Sequence, residues 1–329
     1  MRVLLYEWCS SGGLVEDAPT IAREGRMMLE ALAADAAKEP GLEVAVLVTA
    51  ARPIDLPPQV QRLAVAQGHD RAALVAAAAR ADWTLIVAPE SDGILLDRVR
   101  AVRAAGGRVL APADGQIATA ADKQATIDVL AARGLPVPAG RSLAAGEPIP
   151  LGFRLPAVRK ARGGCGGEAL EMIDRLDHPP AALATRLEAL TTGTPVGVSL
   201  ICGPAGPLAL RPMRQRFTAG AAPRYLGSDL LADEATALRA TALAIRAAAA
   251  LDAETGWLGV DLILGLEPDG RGDRVLEVNP RLTTSFVGLA PLFASSLVAA
   301  MIGAAMGQQP ALVRAAGSAA AGSFDLPAD

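Results

Sequence analysis

The first third of the chain alternates short apolar runs with amphipathic stretches. Arg2 to Tyr6, Val44 to Thr49 and Trp83 to Ala88 are apolar runs of strand length, and Arg108 to Leu110 is a shorter one. Between them, Arg23 to Ala37, Asp70 to Arg80 and Leu95 to Ala105 space their apolar residues as helices do, with Met27, Met28, Leu29 and Leu32 on one side of the first. A strand covered on both faces reads as a continuous apolar run, and intervening helices supply the crossovers of a parallel sheet. The pattern predicts an α/β fold opening with a doubly wound parallel sheet over residues 1–112. Ligands of such sheets bind beyond the strands' C-terminal ends, which here carry Glu7 to Gly13 and Pro89 to Gly93.

After residue 112 the pattern changes. A helix is expected over Asp122 to Arg133, ended by Gly134 and Pro136. A strand at Ala157 to Lys160, a glycine-rich loop, a helix near Pro180 to Leu190 and a strand at Val196 to Cys202 follow. Asp233 is a fitting N-cap for a helix reaching Ala250, and strands are expected near Trp257 to Leu264 and Arg274 to Val278. This is a two-lobed α+β region, with lobes over 113–190 and 191–312 and a loose tail at 313–329, rich in Ala, Gly and Ser. Gly288 to Gly307 carries no formal charge, but Pro291, two serines and many small residues dilute it, so a buried helix is expected there rather than a membrane span.

Charge and cysteine content narrow the function. With 31 basic and 35 acidic side chains among 329 residues the net charge is −4, and no concentrated basic face marks nucleic acid as a partner. Cys9, Cys165 and Cys202 are too few and too scattered for a disulfide framework or a zinc pattern, so a reducing cytoplasm is the expected setting. No signal-like apolar run precedes Tyr6-Glu7. The two histidines, His69 and His178, fall outside every motif, which disfavours a histidine-based hydrolase.

Composition also singles out a few positions. Of the 31 basic residues 28 are Arg, leaving Lys38, Lys123 and Lys160, and Asn279 is the one Asn. A chain that uses Arg so freely keeps Lys where Arg does not serve. Lys38 lies outside every motif, so a Lys38→Arg change is expected to be silent.

Three constellations carry chemistry. Glu277 and Asn279 are two apart on an expected strand and share a face, while Asp261 sits on the neighbouring strand. Two carboxylates and an amide oxygen suit Mg²⁺ bridging substrate phosphates, with Mn²⁺ as an alternative; the competing reading is an acidic hairpin. Lys160, at a strand end, precedes Gly163, Gly164, Gly166 and Gly167, whose backbone N–H groups can approach phosphate oxygens. Gly164-x-Gly166-x-x-Ala169 also fits a dinucleotide fingerprint, although mid-chain and without a role for the lysine. Lys123 follows Asp122 at a helix start, a setting that favours anions.

Asp122-Lys123 before Leu135 to Pro138, Lys160 with its glycine loop, and Gly259-Val260-Asp261 followed by Glu277 to Arg281 together resemble the ATP-grasp ligases, over roughly residues 110–305. Residues 1–112 resemble the domain preceding the grasp. A narrower resemblance, to the tyramine–glutamate ligases of methanofuran biosynthesis and their relatives in methylotrophic bacteria, rests on several segments. They are Tyr6-Glu7, Ser10 to Gly13, Glu24-Gly25, Ala88 to Leu95 and Arg281 to Phe286. Glu188-Ala189-Leu190 stands where the family's adenine-binding hinge lies and matches it in part; no acid follows Gly193 at the usual ribose contact.

The resemblance implies an ATP- and Mg²⁺-dependent enzyme that phosphorylates a carboxylate to an acyl phosphate, which an amine then attacks. Asp261, Glu277 and Asn279 would hold metal. Lys123, Lys160, the glycine loop, Glu188 and Leu190 would hold the nucleotide, and Lys160 and Arg281 would stabilise the transferring phosphoryl group. Substrate contacts would come from Ser10, Ser11, Gly12, Gly13, Glu90, Asp92, Thr283, Thr284 and Ser285. Glutamate as acyl donor and tyramine or tyrosine as amine are the implied substrates, and homodimers are common among similar enzymes. Ligation of another amino acid or dipeptide, a nucleotide-binding regulator without turnover, and a dinucleotide oxidoreductase remain as alternatives.

Overall fold

The computed structural model describes residues 1–14, 18–164, 170–316 and 322–326. Its front unit contains β1 (Arg2–Glu7), α1 (Pro19–Ala36), β2 (Glu43–Thr49), β3 (Gln61–Val65), α2 (Asp70–Ala78), β4 (Trp83–Val87) and α3 (Ile94–Ala104). The four strands run parallel in the order β3-β2-β1-β4. Alternation along β1 divides the core. Val3 and Leu5 face α1 with Met28, Leu29 and Leu32, whereas Leu4 and Tyr6 face α2 and α3 with Leu74, Leu95 and Val99. Covering on both faces is why β1, β2 and β4 are almost wholly apolar, whereas β3, at the sheet edge, is largely exposed and carries Gln61 and Arg62. The run at Arg108 to Leu110 contributes an isolated parallel bridge, Thr84 to Val109, rather than a strand.

Two short helices, α4 (Asp114–Ala120) and α5 (Lys123–Ala132), lead out of the front unit. A second sheet follows, built from β5 (Gly140–Leu143), β6 (Ala157–Ala161), β7 (Glu171–Ile173) and β8 (Thr185–Ala189) in the antiparallel order β5-β8-β6-β7. The helix expected near Pro180 to Leu190 is instead the central strand β8. Its residues Thr185 to Glu188 are all buried between two neighbours, and that tertiary placement overrides a sequence with fair helix propensity.

The third sheet is larger and antiparallel. It takes in β9 (Thr194–Cys202), β10 (Leu208–Ala209), β11 (Met213–Phe217), β12 (Tyr225–Leu230), then after α6 (Glu234–Ala250) the hairpin β13 (Gly256–Leu264) and β14 (Arg274–Asn279). Beyond these come α7 (Ser285–Leu289), a 3-10 turn at Ala290–Leu292, α8 (Leu297–Ala305) and β15 (Ser323–Asp325). The strand order is β14-β13-β9-β11-β12-β15, with β10 on β9. The uncharged run around Pro291 is therefore helical in two pieces, broken by the 3-10 turn and an extended Phe293. The tail is not wholly loose either: β15 pairs with β12, and Phe324 enters the core shared with α1, α7 and α8. Among the described residues, no helix is long and apolar enough to cross a membrane.

Lys38 has a role that its sequence context hides. Its Nζ donates to Asp35 Oδ1 (3.1 Å) and to the backbone oxygens of Ala290 (2.8 Å) and Phe293 (3.0 Å). Asp35, buried in α1, accepts on Oδ2 from the Ser296 hydroxyl and the Val298 N–H at the start of α8. The pair ties the front unit to the C-terminal helices, so the expectation that Lys38→Arg is silent is corrected: a guanidinium has to fit where an ammonium meets three oxygens at once.

Candidate active site

The β13–β14 hairpin sets Asp261 directly opposite Glu277 and Gly259 opposite Asn279. With the two-residue period of a strand, Asp261, Glu277 and Asn279 therefore lie on one face. Gly259 suits its place, since a Cβ there would stand 2.5 Å from Thr283 Cγ2. Asn279 Nδ2 donates to Asp261 Oδ2 (2.9 Å), and Gln215 Nε2, from β11, donates to Asp261 Oδ1 (2.8 Å). Burial pushes the Asp261 carboxyl up to about 6, the nearby Glu277 charge adds to the rise, and the two amide donors oppose it.

Among the described residues no group of three or more His, Cys, Asp or Glu is arranged to hold a metal ion by itself. The candidate donor set is two carboxylates and an amide. Asn279 spends its N–H on Asp261 and keeps its oxygen, while the Glu277 charge raises the cost of ionising Asp261, a cost that a divalent cation removes. An all-oxygen set with that charge fits Mg²⁺ or Mn²⁺.

Lys123 opens α5 behind its N-cap Asp122, whose side chain accepts from the N–H groups of Gln124 and Ala125. Arg162 grips Asp122 with two nitrogens, at 2.7 to 3.0 Å, and holds its carboxyl below the usual range. The buried Lys123 Nζ reaches Gly164 O (2.7 Å) and Glu277 Oε1 (3.3 Å), linking the glycine loop to the hairpin. Lys160, on β6, pairs through Nζ with Glu188 Oε2 (2.9 Å) and approaches Leu276 O (3.4 Å). Glu188 Oε1 also accepts from Arg186 Nε (2.6 Å), so one buried carboxylate serves two cations. Gly163 is exposed and Gly164 buried beside Lys123, while Gly166 and Gly167 lie outside the described residues. Leu190 stands partly exposed just past β8.

Arg281 leaves the end of β14 toward the front unit, where its Nε lies 3.0 Å from Glu90 Oε1. The hydroxyls of Thr283 and Ser285 pair at 2.7 Å, and Ser285 also meets Ser199 (2.8 Å). The Tyr225 hydroxyl pairs with Ser228 Oγ (2.6 Å), and burial pushes its phenol up to about 12, with the charges of Asp261 and Glu24 adding to the rise. Gln215 and Tyr225 were not singled out from the sequence: both lie on strands of the third sheet that its pattern did not reveal.

The Ser10 to Gly13 loop is differently disposed from the expected anion cradle. The Glu7 carboxylate accepts from the N–H groups of Cys9 (3.0 Å) and Ser10 (2.8 Å). The N–H groups of Ser11, Gly12 and Gly13 bond back to Glu7, Cys9 and Trp8, and the Ser11 hydroxyl donates to Leu47 O. The loop is a buried, self-satisfied turn holding β1 against β2. Asp92 is exposed, in a left-handed conformation with φ 54°, and stands apart from the buried Glu90. Cys9 and Cys202 are buried thiols, and Cys165 lies outside the described residues.

Comparison with known proteins agrees with this architecture. The ATP-grasp domain family model matches residues 120–285 and the pre ATP-grasp 3 domain model residues 43–114. No curated protein matches the sequence. Among solved structures, an ATP-grasp superfamily protein from Archaeoglobus fulgidus is similar with a TM-score of 0.68 and 20% identity, over 95% of this chain and 90% of that one. An L-amino acid ligase from Bacillus licheniformis gives 0.69 and 15%, over 92% and 73%. The D-alanine–D-alanine ligase from Bacillus anthracis, complexed with ATP, gives 0.63 and 14%, over 93% and 98%. At such identities the likeness establishes the fold, and the family match goes further: the chain belongs to the ATP-grasp domain family of ATP-dependent carboxylate–amine ligases.

Proposed function

We propose that this protein joins a carboxylate to an amine at the expense of ATP, releasing ADP and phosphate, and that the acyl donor is glutamate and the amine tyramine or tyrosine. The observation that carries the ligase reading is the convergence of Lys123 on Glu277 (3.3 Å), which lies opposite Asp261 and two residues before Asn279. Two cationic side chains, an oxygen donor set for a divalent ion and a glycine loop meet at one end of the third sheet.

In this reading Lys123 and Lys160 leave Glu277 and Glu188 to bind phosphate oxygens, which offer more negative charge than one carboxylate. Asp261, Glu277 and Asn279 would hold Mg²⁺, which would supply neutralising charge to the nucleotide phosphates. Arg281 stabilises charge on the γ-phosphoryl group as the acceptor carboxylate attacks in line, and afterwards on the acyl phosphate. Gly163 and Gly164 cover the phosphates, because an acyl phosphate exposed to water hydrolyses. Glu188 and Leu190 border the adenine. The amine then displaces phosphate from the acyl carbon, giving the amide.

The choice of glutamate and an aromatic amine rests on the resemblance of Glu24-Gly25, Glu90 and Arg281 to Phe286 to the tyramine–glutamate ligases. Thr283 and Ser285, with Ser199, form a hydroxyl cluster a few residues beyond Asn279. The test is ADP release with Mg-ATP, glutamate and each amine in turn, with mass spectrometry of the product. A γ-glutamyl amide formed one-for-one with ADP is expected. ADP release only with other amino acids keeps the ligase and removes these substrates; no ADP release with any pair removes the ligase.

A further inference from the structure

A cavity of about 270 Å³ lies between the N-terminal half of α1, the end of β4 and Arg281. Its wall is mostly apolar, formed by Ile21, Met28, Val87, Ala88 and Pro89, with the carboxylates of Glu7 and Glu24 and the Arg281 guanidinium at its polar end. Behind Arg281 stands Glu90, its carboxylate nearly buried. Neither Glu90 oxygen accepts a hydrogen bond among the described residues, although Oε1 is ion-paired with Arg281. Gly25 brings α1 onto this end: a Cβ there would lie 2.4 Å from Glu7 Oε1. No larger residue permits that approach.

Three carboxylates, Glu7, Glu24 and Glu90, stand around this end of the cavity with two guanidiniums, Arg281 and Arg23, acting on them. Counting the partial positive charge at the start of α1, about half a unit, the set is still net negative. Glu7 and Glu24 are both raised above the usual carboxylate range, first by burial, and for Glu24 the charges of Arg281 and then Arg23 oppose the rise. Such a site is short of a cation, and its apolar walls ask for a ligand with a hydrocarbon body.

We propose that this cavity is the subsite of the amine substrate, with Glu24 receiving its ammonium group and Ile21 and Met28 packing its apolar body. The assignment rests on the ligase reading and adds the place and chemical class of the second substrate: a primary amine carrying an apolar or aromatic group. Glutamate, with net charge −1 and almost no apolar surface, is the wrong match for these walls. Arg281 reaches the cavity two residues after Asn279, so an amine seated here has the metal-ligand end of β14 within a short span of chain.

Two variants and two nucleophiles test it. Hydroxylamine is small and neutral and traps an acyl phosphate as a hydroxamate without an amine pocket. Glu24→Gln is expected to raise the KM for the amine by about ten- to a hundredfold, the scale of a lost hydrogen bond to a charged group. The KM for the carboxylate, read by hydroxamate formation, is expected to shift less than about twofold, within ordinary context effects. Ile21→Trp narrows the cavity and is expected to weaken tyramine more than methylamine, and its thermal unfolding checks that it folds. A raised carboxylate KM with an unchanged amine KM in Glu24→Gln assigns the cavity to the acyl donor and overturns the proposal. An unchanged preference between large and small amines in folded Ile21→Trp overturns it as well. Absence of hydroxamate from the unaltered enzyme with every carboxylate is failure of the ligase reading instead.

Discussion

Asp261 receives one hydrogen bond on each oxygen, from Asn279 and from Gln215. Removing either donor changes both the charge a cation meets and the direction in which the carboxylate presents it. Asn279→Ala and Glu277→Gln are each expected to lower turnover by at least about a hundredfold, the cost of losing a preorganised electrostatic contact, with unfolding midpoints little changed. Near-normal ADP formation by either folded variant would sink the metal-site assignment. The lysines call for separate expectations. Lys160 sits buried between Glu188 and Leu276 O, and Lys160→Arg is expected to impair nucleotide binding because a planar fork fills the space differently from a point charge. Lys38→Met strips Asp35 of its cation and two carbonyls of their donor. A loss of about 1.5–3 kcal/mol of stability is expected, on the scale of hydrogen bonds to a charged group. A denaturant midpoint identical to that of the unaltered protein would remove Lys38 from the tie between units.

At the scale of elements, what the sequence discloses depends on how local its causes are. The Asp122 cap, the continuous apolar strands of the front sheet and the alternation around Glu277 are set by neighbours in the chain, and each is readable there. β8 is not: Thr185 to Ala189 has no apolar alternation, and Arg186 and Glu188 are buried because each is paired with charge from elsewhere. The same holds for Gln215, on a strand rich in arginine, and for Lys38, whose two carbonyl partners are more than 250 residues away. The candidate ligands and phosphate lysines were legible as motif residues; the amide that braces Asp261 and the α1 cavity arise only from packing. β15 gives an element-scale test. Phe324 packs edge-on to Tyr225 and fills the space over Gly288, so Phe324→Ala is expected to cost about 3 kcal/mol. A change under about 0.5 kcal/mol, the range of ordinary surface substitutions, would return that segment to the status of a tail.

Over the whole molecule, the site has no single owner. Lys160 and Glu188 come from the second sheet, Asp261, Glu277 and Gln215 from the third, Glu24 and Glu90 from the front unit, and Lys123 from the helix between them. Two ion pairs, Lys123 with Glu277 and Lys160 with Glu188, hold the two lysines in place. A nucleotide that takes both lysines exchanges these pairs for phosphate contacts reaching the second and third sheets together, and its binding free energy then resists separation of the lobes. Mg-ATP is accordingly expected to raise the unfolding midpoint in proportion to log concentration, by about 2.7 kcal/mol at a hundred times its Kd. Chelating the divalent ion with EDTA is expected to remove most of that gain, since Asp261 and Glu277 then repel the phosphates they otherwise share a cation with. Lys123→Met and Lys160→Met should each shrink the gain while leaving the folded state intact, and Lys38→Arg should lower the midpoint yet keep the full gain. An ATP-induced shift equal with and without EDTA, or one of undiminished size in both lysine variants, places the nucleotide away from this junction and removes the phosphate-binding roles of the two lysines together.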